Sequence, residues 1–139
     1  MMRFVLDASV ALGWFVDRPA APYAERVKRA LLEGARAVVP ALWHVEMANG
    51  IMVAERRRVL TAADTGDCLT DLEMLLAQVI DTNSGLTPMR QVLATARTYR
   101  LSAYDALYLD MARAEELPLA TLDRALRAAA AQAGVELLS

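Results

Sequence analysis

The feature that most constrains the fold is an alternation of short apolar runs with longer stretches of helical periodicity. The apolar runs are rich in Val and Leu, and their length suits a strand that is buried on both faces of a sheet. Strands that alternate with helices form a parallel sheet, because each helix returns the chain to the start of the next strand. The sequence therefore predicts an α/β fold: a three-layer α/β/α sandwich with a mainly parallel central sheet.

The same periodicity gives the bounds of the individual elements. The predicted strands are Arg3 to Ala8, Ala37 to Pro40, Val79 to Asp81, Leu119 to Leu122 and Val135 to Leu138. The predicted helices are Leu12 to Phe15, Pro22 to Gly34, Trp43 to Arg58, Thr61 to Ala77, Thr87 to Arg100, Ala103 to Glu116 and Asp123 to Ala133. Thr61 and Asp64 have the spacing of a capping box, in which the two side chains close the start of a helix.

Composition limits the setting of the protein. The 139 residues suit one domain with a sizeable core, and we expect residues 1–139 to form a single domain. No apolar run is long enough to span a bilayer, and the first residues show no secretion signal. Cys68 is the one cysteine and cannot form an internal disulfide, so we expect a cytoplasmic protein. The net charge of −2 gives no general attraction to nucleic acid, so such binding would need a local basic patch and a metal ion.

Four acidic residues stand where the periodicity changes. Asp7 and Asp123 each end an apolar run, whereas Glu46 and Asp105 lie near the starts of two helical patterns. In a parallel α/β sheet, strand ends and the helix starts that follow them gather along one edge, where such folds bind ligands. Four carboxylates at that edge would form a site for a hard divalent cation such as Mg²⁺ or Mn²⁺.

Three of these acids also have a purely structural interpretation. Asp123 suits the N-cap of the last helix, and Asp7 suits the N-cap of the first. Asp105 follows Ser102 at capping-box spacing and complements the dipole of its helix. Taken together, however, the four acids favour function, because all of them lie at the junctions where an α/β fold concentrates its chemistry.

The segments around these acids resemble the motifs of one nuclease family. The segments are Val5 to Leu12, Val39 to Asn49, Leu101 to Tyr108 and Leu119 to Leu126. In this order they are similar to the four motifs of PIN-domain nucleases, including a helix that starts at a proline and carries Glu and then Asn. The resemblance covers nearly the whole chain, and the motifs look most like those of VapC-type toxins from bacterial and archaeal toxin–antitoxin pairs.

The resemblance implies an endoribonuclease that hydrolyses RNA with water activated by Mg²⁺ or Mn²⁺. Its catalytic site would hold four acids: Asp7, Glu46, Asp105 and Asp123. Asp7 and Asp105 would bind the metal directly, and Glu46 and Asp123 would bind it directly or through water. Three polar residues would orient these acids without binding the metal themselves: Ser9, Asn49 and Thr121. The implied partners are the RNA substrate, a VapB-like antitoxin and a second copy of the chain in a homodimer.

Other readings of the sequence are weaker. His44 is the only histidine, which rules out a metal-free route that needs two, and we expect it to be a structural or surface residue. Ser9 occupies the position at which haloacid-dehalogenase-like phosphatases carry a second Asp, which counts against that class. A catalytically degenerate PIN-like module that only binds RNA or protein is the remaining alternative.

Asp110 lies five residues after Asp105, so we expect it on a different face, solvated or facing a partner. We also expect Tyr104 in the core or an interface.

Overall fold

In the computed structural model, which describes residues 2–139, the chain forms a four-stranded sheet and seven helices. The strands are β1 (Arg3–Leu6), β2 (Arg36–Pro40), β3 (Ile80–Asn83) and β4 (Leu119–Ala120). The helices are α1 (Ala8–Val16), α2 (Pro22–Leu32), α3 (Ala41–Arg56), α4 (Ala62–Gln78), α5 (Met89–Tyr99), α6 (Ala103–Glu115) and α7 (Arg124–Ala133).

The sheet is parallel throughout, with the strand order β3-β2-β1-β4. The strand β1 has a neighbour on each side, since Val5 pairs with Val38 of β2 and with Leu119 of β4. Phe4, Val5 and Leu6 are fully buried, as a central strand covered on both faces requires. The predicted α/β/α sandwich with a parallel sheet is confirmed. The carboxyl ends of β1 and β4 consequently lie side by side at one edge of the sheet.

Helix starts and stops follow the local signals of the sequence. The Asp64 N–H donates to Thr61 Oγ1 at 3.1 Å and the Thr61 N–H donates to Asp64 Oδ2 at 2.9 Å, which forms the predicted capping box of α4. The end of α2 is followed by Gly34 at φ 112°, a left-handed conformation that favours glycine. No helix in the described part of the chain combines the length and the apolar character needed to cross a membrane.

Several predicted bounds near the strands are wrong, and the fourth strand ends at Ala120 rather than at Leu122. The first strand stops at Leu6 because α1 already begins at Ala8, and the predicted short helix is extended to nine residues. The final segment, Val135 to Leu138, is not a strand. It forms only an isolated parallel bridge between Leu137 and Leu119, because β4 itself is two residues long and offers little edge for pairing.

The prediction for Asp110 is also wrong. Its side chain is only 3% exposed, and Thr95 Oγ1 of α5 donates to Asp110 Oδ1 at 2.7 Å. The face of α6 that we expected to meet solvent or a partner is covered by α5 instead. Tyr104, in contrast, is 61% exposed and does not belong to the core.

Candidate active site

The four predicted acids line one open cavity of about 290 Å³ at the carboxyl edge of the sheet. Asp7 follows β1 directly, and Asp123 is the N-cap residue of α7, just after β4. Glu46 lies in the second turn of α3, and Asp105 lies in the first turn of α6. Segments that are far apart in sequence therefore place their carboxylates around a common space, while their roles in catalysis and metal binding stay predictions.

Asp7 is held by a hydrogen-bond network that joins β1 to the turn after β4. Ser9 Oγ and Thr121 Oγ1 both donate to Asp7 Oδ2, at 2.6 Å and 2.7 Å. Each hydroxyl in turn accepts a backbone N–H, from Leu122 for Ser9 and from Asp123 for Thr121, both at 3.0 Å. The network fixes the orientation of the Asp7 carboxylate through one oxygen, Oδ2, and does not involve Oδ1.

The structure shows which of these acids caps a helix with its side chain and which does not. Asp123 accepts the Leu126 N–H through Oδ1 at 2.8 Å, so it caps α7 as well as lining the cavity. At the start of α6, the cap acceptor is Ser102 Oγ, which takes the Asp105 N–H at 3.1 Å. Asp7 stands at the N-cap of α1 but makes no side-chain capping bond there. Capping therefore does not account for the Asp7 carboxylate.

Burial and the charges of neighbouring acids raise the pKa values of three of the cavity acids. Burial raises the pKa of Asp7, and the charge of Asp123 raises it further. Burial also raises the pKa of Glu46, as do the charges of Asp7 and Asp105. The pKa of Asp105 rises to about 6, first through burial and then through the charges of Asp123 and Asp7. Like charges this close oppose ionisation, and a bound cation would relieve that opposition.

Glu46 has a partner that the sequence reasoning did not single out. Tyr108 Oη donates to Glu46 Oε1 at 2.6 Å, and the Tyr108 side chain is fully buried. The available signal was the spacing on α6: Tyr108 lies three residues after Asp105, so the two share one helix face.

The three polar residues predicted to support the acids fall into two groups. Ser9 and Thr121 contact Asp7 directly, whereas Asn49 lines the cavity one turn after Glu46 on α3. His44 lies outside the lining of the cavity. Its Nε2 is 2.8 Å from Thr82 Oγ1 on β3, which agrees with the structural or surface role that we expected.

The donor set fits a hard divalent cation, which prefers carboxylate and other oxygen ligands. Within residues 2–139, however, no three His, Cys, Asp or Glu side chains converge closely enough to hold an ion as they stand. The acids line the walls of the cavity instead. The mutual repulsion of the carboxylates opposes a closer approach, and a bound cation would offset that repulsion.

The fold and the cavity define a class of protein: a three-layer α/β domain with a carboxylate-lined site at the end of its parallel strands. The sequence profile of the PIN domain matches residues 4–132, and the chain belongs to the PIN domain family. PIN domains are typically metal-dependent nucleases, so membership supports a nuclease role for this chain.

Solved structures show the same fold. Over 92% of this chain and 84% of the other, the structure resembles PAE2754 from Pyrobaculum aerophilum with a TM-score of 0.68 and 19% identity. It resembles FitAcB from Neisseria gonorrhoeae with a TM-score of 0.62 and 21% identity, over 99% of this chain and 97% of the other. It also resembles a domain of a functionally unknown protein from Methanocaldococcus jannaschii, with a TM-score of 0.56 and 19% identity over 100% of this chain and 92% of the other. A sequence comparison with curated proteins gives no significant match.

Proposed function

We propose that this chain is a Mg²⁺- or Mn²⁺-dependent endoribonuclease and the toxin of a VapC-type toxin–antitoxin pair. The observation that carries the proposal is the single cavity lined by Asp7, Glu46, Asp105 and Asp123 in a chain of the PIN domain family. The raised pKa values of three of these acids support it, because burial and neighbouring like charges both disfavour their ionisation, an effect that a bound cation would relieve.

Each residue has a defined task in this proposal. Asp7 and Asp105 bind the metal directly, and Glu46 and Asp123 bind it directly or through water. Ser9 and Thr121 hold Asp7 in orientation through Oδ2. The bound cation would supply Lewis-acid activation of water and of the scissile phosphate. Attack by water on the phosphodiester leaves a 5′-phosphate on one RNA fragment and a 3′-hydroxyl on the other.

A cleavage assay with a matched pair of variants tests the activity. The purified chain should cut RNA with Mg²⁺ or Mn²⁺, stop in EDTA, and leave fragments with 5′-phosphates. Asp7→Asn keeps the size of the side chain but removes a charge, and it should lower the rate by about 100-fold or more, since even residues that only orient a metal ligand contribute about 10–100-fold. Asp71→Asn, at an exposed position of α4 outside the cavity, should cut like the wild type. Undiminished cutting in EDTA, or by Asp7→Asn, would reject the proposal.

A toxin role implies an antitoxin that supplies positive charge. The ion pairs among the described residues, Arg18–Asp64 and Arg36–Asp81, do not involve a cavity acid. The antitoxin would lay an amphipathic segment in a groove and place a basic side chain among these acids. Expression of the chain alone should arrest growth of the host, and co-expression of a small antitoxin encoded nearby should restore it. Normal growth on expression of the active chain would contradict this part.

A homodimer is the last part of the proposal. Leu86 is 97% exposed and Tyr104 is 61% exposed, and both line a mostly apolar cavity of about 370 Å³. Covering these side chains with a second copy would remove apolar surface from water. Sedimentation velocity should show a dimer, and a strictly monomeric chain would argue against it.

One observation favours the alternative, a degenerate PIN-like module that only binds RNA or protein. It is the failure of any three acids in the described part of the chain to converge on one point. The alternative predicts no cutting of RNA under any metal condition, whether the module binds RNA or protein, so the cleavage assay also decides between the two functions.

A further inference from the structure

The hydrogen bond between Tyr108 and Glu46 links two elements that each supply a cavity acid. Glu46 lies on α3, and Tyr108 lies on α6 one turn after Asp105. A single face of α6 therefore carries one cavity acid and the donor that binds another. The contact is short, 2.6 Å between Tyr108 Oη and Glu46 Oε1, as expected when a hydroxyl donates to a charged carboxylate.

Glu46 needs such a partner because its surroundings repel it. Asp7 and Asp105 line the same cavity as Glu46, so like charges face its long, partly buried side chain. Without an opposing contact, this repulsion would favour rotamers that turn the carboxylate away from the cavity toward solvent. Tyr108 provides that contact from a fixed position, since its ring is fully buried in the core.

We propose that Tyr108 is a positioning residue for the metal site: its hydroxyl holds Glu46 at the cavity through Oε1 and leaves Oε2 as an acceptor for the cation. This inference rests on the proposed function, since it concerns the same site. A phenol keeps its proton at neutral pH, so the Tyr108 hydroxyl remains a donor.

Calorimetric titration with Mn²⁺, without RNA, tests the inference. Tyr108→Phe keeps the ring that fills the core and removes only the hydroxyl, and it should weaken Mn²⁺ binding by about 10-fold, within the range of about 10–100-fold found for residues that support metal ligands. Tyr23→Phe is the matched control. It also removes a tyrosine hydroxyl bond, from Tyr23 Oη to the Leu138 carbonyl at 2.7 Å, but Tyr23 does not line the cavity, so its Mn²⁺ affinity should equal that of the wild type.

If Tyr108 acts through Glu46, removing its hydroxyl should have no effect once Glu46 is absent. In a Glu46→Ala background the hydroxyl has no carboxylate to hold, so Glu46→Ala and Glu46→Ala/Tyr108→Phe should bind Mn²⁺ with equal affinity. A further loss in the double variant would show a purely structural role and overturn the inference.

A third readout needs no variant at position 108, and it applies if Tyr108→Phe fails to fold. In a crystal structure of the wild type with Mn²⁺, the Tyr108–Glu46 bond should persist while Glu46 faces the ion. A Glu46 that leaves Tyr108 to reach the ion would overturn the inference. Equal Mn²⁺ affinity of wild type and folded Tyr108→Phe would overturn it alone, whereas a wild type that binds no Mn²⁺ would overturn the proposed function as well.

Discussion

The surroundings of Asp105 disfavour the ionised form of its carboxyl group. The carboxylate is partly buried, and the charges of Asp123 and Asp7 act on it from across the cavity. Ser102 offsets part of this effect, since its hydrogen bond lowers the pKa of Asp105. The net result is a pKa raised from its usual 3.8 to about 6. One of the two acids that we propose to bind the cation directly is thus also one that costs stability when no cation is bound.

The first prediction concerns Asp105→Asn in EDTA. A folded-state pKa of about 6 against an unfolded value near 3.8 means that the folded chain holds the proton more tightly between these values. Stability from this group is present below pH 3.8 and is lost as pH rises through 6. Asparagine does not ionise, so Asp105→Asn should be more stable than the wild type at pH 7.5 and close to it at pH 4. Urea unfolding at the two pH values measures this.

The control for this prediction is Asp71→Asn, which removes an exposed acid of α4 outside the cavity. Its difference from the wild type should not grow between the two pH values. If Asp105→Asn behaves in the same way as this control, the pKa of Asp105 is not raised in the folded chain.

At the scale of elements, the packing of α5 on α6 contains a buried polar pair. Asp110 accepts one hydrogen bond, from Thr95, and its Oδ2 is buried without a partner among the described residues. Because a buried carboxylate that loses its donor is left unsatisfied, Thr95→Val should lower the free energy of unfolding by about 1–3 kcal/mol. Replacing both partners, as in Thr95→Val/Asp110→Leu, should recover most of that loss, because no buried polar group is then left without a partner.

Urea denaturation of Thr95→Val, Asp110→Leu and the double variant measures these changes in the free energy of unfolding. A Thr95→Val protein as stable as the wild type would mean that the contact contributes nothing. A double variant less stable than either single variant would mean that the α5–α6 interface requires the polar pair.

Local signals predicted the elements well, and they failed where distant packing decides. The capping box of Thr61 and Asp64 and the stop at Gly34 depend on neighbouring residues, so the sequence was sufficient. Asp110 was misplaced because its burial depends on which helix covers the far face of α6, and periodicity does not specify that helix. The contact between Tyr108 and Glu46 was missed for the same reason, since the two residues lie on different elements.

At the scale of the whole molecule, the strand order assembles the cavity. β1 and β4 are neighbours in the sheet although they lie near opposite ends of the chain, and this brings Asp7 beside Thr121 and Asp123. The gathering of all four acids at this edge was predictable, because parallel strands end together. Their separation within the cavity was not predictable, since it depends on side-chain rotamers and on mutual repulsion.

The central claim is that these four acids form one divalent-cation site. The most direct test is anomalous scattering from crystals of the wild type soaked in millimolar Mn²⁺. We predict a strong peak in the cavity, within about 2.2 Å of carboxylate oxygens of Asp7 and Asp105, as expected for a small hard cation. The peak should be absent or much weaker in Asp7→Asn. A wild-type cavity without a peak, or an equal peak in Asp7→Asn, would contradict the account.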